Sequence, residues 1–177
     1  MEPSIDVLLA EYDRVLGYTD SLWLDLNPEQ LHWRPHELSS AIGWHVGHEA
    51  AVAHFMVRNL TAAEARLDPA LEAMMDSATP EPERGDLPDR ERLLDFRTRV
   101  ADRVRFRMGD IAAGNVGAPN QLAQVAAGLL MAVINHEYQH DRWIAEVRAD
   151  DLGLAVPPPP TGPNLVELDG YTVIRTT

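Results

Sequence analysis

The chain has 177 residues, 45% of them hydrophobic, so it is long enough for one domain with a sizeable buried core. Its formal net charge of −13 argues against nucleic acid and anionic membranes as partners, because both are bound through positive protein surface. The absence of Cys excludes disulfides, a thiolate nucleophile and cysteine-ligated metal sites, so any metal must be held by His and carboxylate side chains.

Neither an export signal nor a membrane span is predicted. The N-terminal segment MEPSIDVLLAEYD carries acidic residues where a signal peptide requires basic ones. The longest apolar-rich stretch, LAQVAAGLLMAVI, is too short and too interrupted to cross a bilayer. The sequence therefore predicts a soluble cytoplasmic protein.

Helical periodicity, with apolar residues recurring three and four positions apart, is present in four segments. They run from about Ser4 to Leu26, from the expected capping residues Ser39 and Ser40 to about Leu60, from about Asp89 to Ala113, and from Pro119 to about Asp150. Strand alternation is convincing only in the terminal GYTVIRTT. The sequence thus predicts an all-α protein.

The connections between these segments indicate the topology. Residues 61–88, between the second and third segments, are long and Pro-rich, whereas GNVGAP before the fourth segment is short. Short links join antiparallel neighbours and a long link permits a crossover, which predicts an up-down-down-up four-helix bundle over residues 1–155. Residues 156–177 begin VPPPPTGPN and are expected to form an extended Pro-rich C-terminal tail, packed along the bundle or against a partner.

The last helical segment contains INHEYQHDRWI, in which His136 and His140 are one turn apart. At 100° per residue the two rings lie about 40° apart on the apolar stripe of this helix. On the second helix, His48 shares its face with Phe55, whereas His54 lies about 120° away and is expected to face solvent. Three imidazoles are therefore predicted to point into the core.

The depths of these histidines along their helices also agree. His48 is about 12 Å from the start of the second helix, and His140 is about 15 Å from the end of the fourth. Because the up-down-down-up order makes these helices antiparallel, the two levels coincide. A divalent ion would satisfy three buried imidazoles at once, so His48, His136 and His140 are the predicted metal ligands. The alternative is that each histidine is a hydrogen-bonded structural residue of the core.

The expected metal is divalent. Zn²⁺ is the first expectation because all-imidazole sites suit it, and Ni²⁺ and Fe²⁺ remain open. A zinc peptidase, which also carries H-E-x-x-H, is not predicted: its third ligand would have to follow, and Glu146 lies on the same continuous helix. Glu137 is expected on the flank of this helix, and together with His45 it is a candidate for a catalytic or ligand-supporting role.

Two segments taken together, LHWRPHE-SSAIGWHVGH and NHEYQHDRWIAEVR, resemble the DinB/YfiT-like family over roughly residues 5–155. The resemblance implies an up-down-down-up bundle, often dimeric, that binds a divalent metal through one His of the second helix and two of the fourth. Those positions here are His48, His136 and His140. Family members of known activity include a mycothiol-dependent maleylpyruvate isomerase, bacillithiol and mycothiol S-transferases, and the metal-binding half of ergothioneine-type sulfoxide synthases.

The resemblance therefore implies a small-molecule substrate, a low-molecular-weight thiol such as mycothiol, and an S-transferase or isomerase reaction. Two other functions stay open: a metal-dependent hydrolase of small amides or esters, and a non-enzymatic metal-stabilised ligand-binding domain. A homodimer that uses the bundle surface and the tail is also expected.

A substrate pocket is predicted at the end of the bundle where the LHWRPHE loop precedes the second helix. Its candidate residues are His36, Arg34, Trp44, Trp143 and Arg142. They would form an aromatic wall with guanidinium donors that orient an anionic group. The alternative is that the two tryptophans fill the core and that the two arginines form surface ion pairs.

Overall fold

The computed structural model describes residues 3–61 and 63–175. Residues 1–2 of the predicted bundle and residues 176–177 of the predicted tail lie outside the described ranges. The described chain is mostly helical, with bundle-like contacts among its long helices. The elements in chain order are α1 (Ile5–Trp23), α2 (Pro28–His32), α3 (Ile42–Val57), α4 (Pro69–Met74), a 3₁₀ turn (Glu81–Glu83), α5 (Arg90–Ala112), α6 (Pro119–Glu146), a π-helical turn (Val147–Asp151), β1 (Leu165–Leu168) and β2 (Tyr171–Ile174). No helix in the described ranges is long and apolar enough to cross a membrane.

Local sequence signals explain where three of the four long helices begin. The Ser4 side chain accepts a hydrogen bond from the Val7 amide at the start of α1, and the Asp89 side chain accepts one from the Arg92 amide at the start of α5. Pro119 occupies the first turn of α6, where its missing N–H costs nothing. These three starts agree with the sequence prediction to within one residue.

The capping prediction for α3 is wrong. Its N-cap is Ala41, which makes no side-chain bond to the helix. The Ser39 hydroxyl is instead bonded to the backbone of His36, and the Ser40 hydroxyl faces Glu81. Both serines therefore hold the preceding loop rather than the helix.

Polar contacts between the long helices show their relative directions. Arg97, near the start of α5, donates to the Val46 carbonyl of α3 at 3.0 Å, and Arg107, near the end of α5, pairs with Glu64 beyond the end of α3 at 2.9 Å. α3 and α5 therefore run in the same direction. Asp13 of α1 pairs with Arg105, late in α5, at 2.8 Å, while Asp20, later in α1, lies 4.0 Å from Arg97, early in α5, so α1 runs against α5.

The α3–α6 pair runs in opposite directions and carries the site. His45 contacts His140, while His48, further along α3, contacts the earlier His136 of α6. The core between the helices is well packed, and its largest fully buried side chains include Trp23, Tyr12 and Phe96.

Two predictions about the faces of α3 are wrong. Phe55, expected in the core, is 68% exposed, and His54, expected to face solvent, is fully buried. The reason lies in the long connection after α3, residues 61–88, in which the sequence predicted no helix. α4 lies in that connection, and its Glu72 bonds the His54 ring at 3.1 Å.

The C-terminal tail ends in a β-hairpin rather than remaining extended. β1 and β2 pair antiparallel, and the connecting Asp169 and Gly170 have positive φ angles of 52° and 81°, as a tight two-residue hairpin turn requires. The Ile174 amide donates to the Asn135 side chain of α6 at 2.8 Å. Before the hairpin, the Thr161 carbonyl accepts from Arg14 of α1 at 3.1 Å. The tail therefore packs on its own bundle.

Candidate metal centre

The three predicted ligands meet in one cluster. His48 comes from α3, and His136 and His140 come from successive turns of α6. Three ring nitrogens, one from each histidine, all lie within 4.8 Å of one another. The ring centroids are 4.4 to 5.1 Å apart. In the described part of the chain this is the one group of His and acidic side chains with a spacing that can hold a metal ion.

Hydrogen bonds orient two of the three rings. The Nδ1 atom of His48 is 2.6 Å from the Met75 carbonyl oxygen, which can only accept a hydrogen bond, so Nδ1 carries the proton. The Nε2 atom is then unprotonated and able to bind a metal ion. The Nδ1 atom of His140 is 2.8 Å from that of His45. With His140 donating in this bond, its Nε2 also remains free. Ligand histidines in metal sites are held by outer hydrogen bonds of this kind.

Burial keeps these imidazoles neutral. It lowers the pKa of His140 to about 2 and that of His136 to about 4, and the neighbouring imidazoles lower both further. The pKa of His48 is also lowered by burial, although its bond to Met75 opposes the shift. Neutral imidazole is the form that binds metals, so the residues present fit a divalent ion without losing protons first.

The family can be assigned from a separate observation. The family model of the DinB superfamily matches residues 11–144. The chain belongs to the DinB superfamily. This confirms the resemblance seen in the two histidine-containing segments. The matched part of this DinB superfamily chain includes all three clustered histidines and ends before the hairpin. Comparison with curated proteins found no match.

Two tryptophans of this DinB superfamily chain contact the cluster. Trp44 stacks on His48 with ring centroids 4.5 Å apart, and Trp143 meets His140 edge-on at 4.8 Å. The guanidinium of Arg84 lies 4.0 Å from the Trp44 ring centroid. Arg84 comes from the long connection after α4, and no sequence signal pointed to it.

His45 lies beside the cluster rather than in it. Burial, with the adjacent imidazoles, lowers its pKa to about 4. Its hydrogen bond to His140 and its contact with Trp143, at 5.8 Å between centroids, give it the position of a supporting residue.

Glu137 is not on the helix flank, as was expected, but fully buried on the core side of α6. Its carboxylate faces Arg97 of α5 and the Thr19 hydroxyl of α1, each at 3.4 Å. Arg97 also pairs with Glu49 at 2.7 Å. Sequence reasoning missed this network, although an acid directly follows each of the three clustered histidines, and Arg97 falls on the apolar face of α5.

The remaining predicted pocket residues lie elsewhere. Arg34 pairs with Glu81 at 3.0 Å and lines a surface depression that contains none of the clustered histidines. His36 is exposed in the same loop. Arg142 pairs with Glu146 at 3.0 Å and donates to the Gly170 carbonyl of the hairpin. The structure brings Trp44 and Trp143 to the cluster, but not these three residues.

Two other depressions reach the cluster. One, of about 270 Å³, is lined by His48 together with Phe55, Arg58 and Met75. The other, of about 490 Å³, is lined by His136 together with Gln139 and residues of the hairpin. The first is bordered by α4 and Met75 and the second by the hairpin, and the sequence did not predict how these segments pack. The predicted entrance lay at the LHWRPHE loop because that loop precedes the helix that carries His48.

Proposed function

We propose that this DinB superfamily chain is a metal-dependent enzyme that uses a low-molecular-weight thiol, such as mycothiol, in an S-transfer or isomerisation reaction. The observation that carries the proposal is the cluster itself: three neutral imidazoles, free of carboxylates, next to cavities large enough for a small molecule. The proposal includes the up-down-down-up order of the four long helices, which the contact directions support.

The ligands of the ion would be His48, His136 and His140, with Zn²⁺ preferred and Ni²⁺ or Fe²⁺ as alternatives. A divalent ion held by three protein ligands supplies a Lewis acid with open positions, at which an incoming thiol or water becomes more acidic. The chain itself contributes the orientation of the donors, through the Met75 carbonyl and His45.

Among the described residues, no carboxylate belongs to the cluster. Glu49, Glu137 and Asp141 follow the three histidines in sequence, but their side chains are buried in the core, where Glu49 and Glu137 pair with Arg97. With a divalent ion bound, the site would carry positive charge that no carboxylate in the cluster offsets, which would favour an anionic group from an external molecule. Because the chain has no Cys, a reacting thiol must come from outside.

We assign positioning roles rather than catalytic roles to the two earlier candidates. His45 holds His140 in place, and Glu137 is engaged with Arg97 and Thr19. A thiol that loses its proton more easily at the site needs no carboxylate base from the protein. This favours thiol chemistry over hydrolysis, which gains more from a positioned base.

The test is a thiol-consumption assay on the purified full-length chain. Protein loaded with Zn²⁺, Ni²⁺ or Fe²⁺ is incubated with mycothiol or bacillithiol and 1-chloro-2,4-dinitrobenzene, and free thiol is followed with time. We expect consumption that requires the ion and is lost in His136→Ala. Metal-dependent hydrolysis of small esters or amides without thiol consumption would replace the proposal with a hydrolase. If neither reaction is observed, the remaining candidate is a non-enzymatic ligand-binding domain.

A further inference from the structure

The cavity beside His48 has one apolar wall and one charged end. Val52 and Phe55 of α3 and Met75 beyond α4 line the wall. A concave apolar surface that carries a few polar groups is the usual composition of a small-molecule site. The exposure of Phe55, at 68%, is accounted for if a ligand covers this wall.

Arg58 forms the charged end and pairs with no acidic side chain among the described residues. Its Nε atom is buried without a hydrogen-bond partner, and none of the ion pairs between described residues includes its guanidinium. Arg58 is the C-cap residue of α3, where the helix dipole favours a cation. The dipole accounts for the positive charge but leaves the buried N–H unsatisfied, which is costly without an acceptor.

The acidic residues that line the same cavity are already engaged. The Glu72 carboxylate accepts from the His54 ring and from the Leu67 amide at 3.1 and 3.0 Å, and Arg66 approaches it at 3.7 Å. Asp76 accepts from the Ala78 amide at 2.9 Å. Arg58 is thus the cavity's available site for an anion.

We infer that this cavity binds an amphiphilic small molecule whose carboxylate pairs with Arg58, whose apolar segment lies on Val52 and Phe55, and whose other end reaches the histidine cluster. This inference rests on the proposed function and names a substrate class for the same site. The molecule is a monoanion with its charge remote from the reacting group.

The spacing along α3 limits the length of this molecule. His48 and Arg58 are ten positions apart, which corresponds to about 15 Å along a helix axis. Since the flexible Arg58 side chain can fold back along the cavity, the ligand spans less than this distance. A medium-length chain fits that separation, whereas a two-carbon acid cannot contact both ends.

The experiment compares octanoate with 1-octanol as probes, titrated calorimetrically into the full-length metal-loaded protein. The two probes share the apolar chain and differ in charge. We expect octanoate to bind at least tenfold more tightly, and Arg58→Gln to weaken octanoate binding at least tenfold while leaving 1-octanol unchanged, since a charge-assisted hydrogen bond contributes about that factor. Phe55→Ser should weaken both probes alike.

The matched control is Arg175→Gln, which removes the same charge from an exposed residue that does not line the cavity. Arg58→Lys, which keeps the charge, should retain a preference for octanoate. It therefore separates the loss of charge in Arg58→Gln from misfolding of that variant. A preference that survives Arg58→Gln but disappears in His136→Ala would place the carboxylate at the histidines and overturn the inference. Equal affinity for both probes would overturn it as well.

Failure of this inference and failure of the proposed function give different results. An Arg58-dependent preference for octanoate, with no metal-dependent thiol consumption, would refute the thiol reaction and leave the anion site intact. Thiol consumption that is unaffected in Arg58→Gln, with equal binding of the two probes, would refute the anion site alone.

Discussion

Each clustered histidine is followed directly by an acid, so Glu49, Glu137 and Asp141 lie on the helix faces next to the imidazoles. Consecutive helical side chains point about 100° apart, which sends the rings to one side and the carboxyls into the core. Burial, together with the charge of Glu137, raises the pKa of Glu49 and of Asp141 well above the ordinary value. Arg97 contacts both Glu49 and Glu137, at 2.7 and 3.4 Å, and so supplies positive charge to this buried group of acids.

Removing one clustered histidine should remove the metal. We expect His136→Ala and His48→Ala to bind a divalent ion at least tenfold more weakly, because even a change outside the ligand shell costs about 10–100-fold. Elemental analysis after dialysis measures the content. The control is His54→Ala: it should keep full metal content but lose about 1–3 kcal/mol of stability, since Glu72 loses a buried partner. Undiminished tight binding in His136→Ala would refute the site.

Gly47 matters because α4 approaches α3 closely beside it. A Cβ atom at this position would lie 2.6 Å from the Met75 sulfur, and the Met75 carbonyl orients His48. We expect Gly47→Ala to cost about 1–3 kcal/mol in the free energy of urea unfolding, with weaker metal binding. Gly128→Ala in α6 is the control, as nothing lies within 4 Å of its Cβ position, and it should stabilise by up to about 1 kcal/mol. Equal effects of both substitutions would contradict this reading of Gly47.

At the scale of elements, the connections shape the surroundings of the site. α4 supplies Glu72 and leads into Met75, while the hairpin lines the cavity beside His136. The long helices supply the ligands. The entrance therefore depends on segments that a simple bundle would not include.

The end of α6 is tied to α1 by Arg148, which donates to the two Asp25 carboxylate oxygens at 2.7 and 2.6 Å. These bonds lower the pKa of Asp25. Because the pKa of Asp25 is lower in the folded state, its carboxylate stabilises the fold at pH values above the unfolded-state pKa of about 4. This stabilisation is lost as the pH falls through the folded-state pKa. Asp25→Asn should therefore be less stable than the parent at pH 7, and the difference should shrink below about pH 4.

The difference at pH 7 should stay within about 1 kcal/mol, because the Asp25 side chain is 61% exposed and solvent screens the pair. Urea unfolding at intervals from pH 7 down to pH 2 measures it. The matched control is Asp95→Asn, whose pair with Arg99 is exposed on both sides and should contribute less. An Asp25→Asn difference that is constant with pH would show that the carboxylate charge is not its source.

For the whole molecule, we expect the metal to add stability without creating the fold, since the four long helices already enclose an extensive apolar core. An ion at one hundred times its dissociation constant contributes about 2.7 kcal/mol, or roughly 5–10 °C in Tm for a chain of this size. Chelation should lower the Tm by this amount, while helical circular dichroism at 25 °C persists. His136→Ala serves as the control, because a chelator should not shift its Tm. Loss of most helical signal on chelation would contradict the prediction.

The homodimer stays a prediction.

Much of this architecture was predictable because helix starts are local. Ser4, Asp89 and Pro119 act within one turn of their own positions, and helical geometry places the three clustered histidines on inward faces, although it misplaced His54. The hairpin was also within reach of the sequence: Asp169-Gly170 is a strong two-residue turn signal between apolar residues. It was missed because the preceding prolines favoured an extended tail.

By itself, the sequence determined the helical class and the meeting of His48 with His136 and His140, because these depend on periodicity and on depth along a helix. The two histidine-containing segments also carried the resemblance to the family. Only the tertiary structure decided the burial of His54 and Glu137, the exposure of Phe55, and the surface pairing of Arg34. Periodicity describes one helix, whereas burial depends on which distant segment covers each face. Here α4, α5 and the hairpin provide that cover, so the side of the cluster that stays open was fixed by packing.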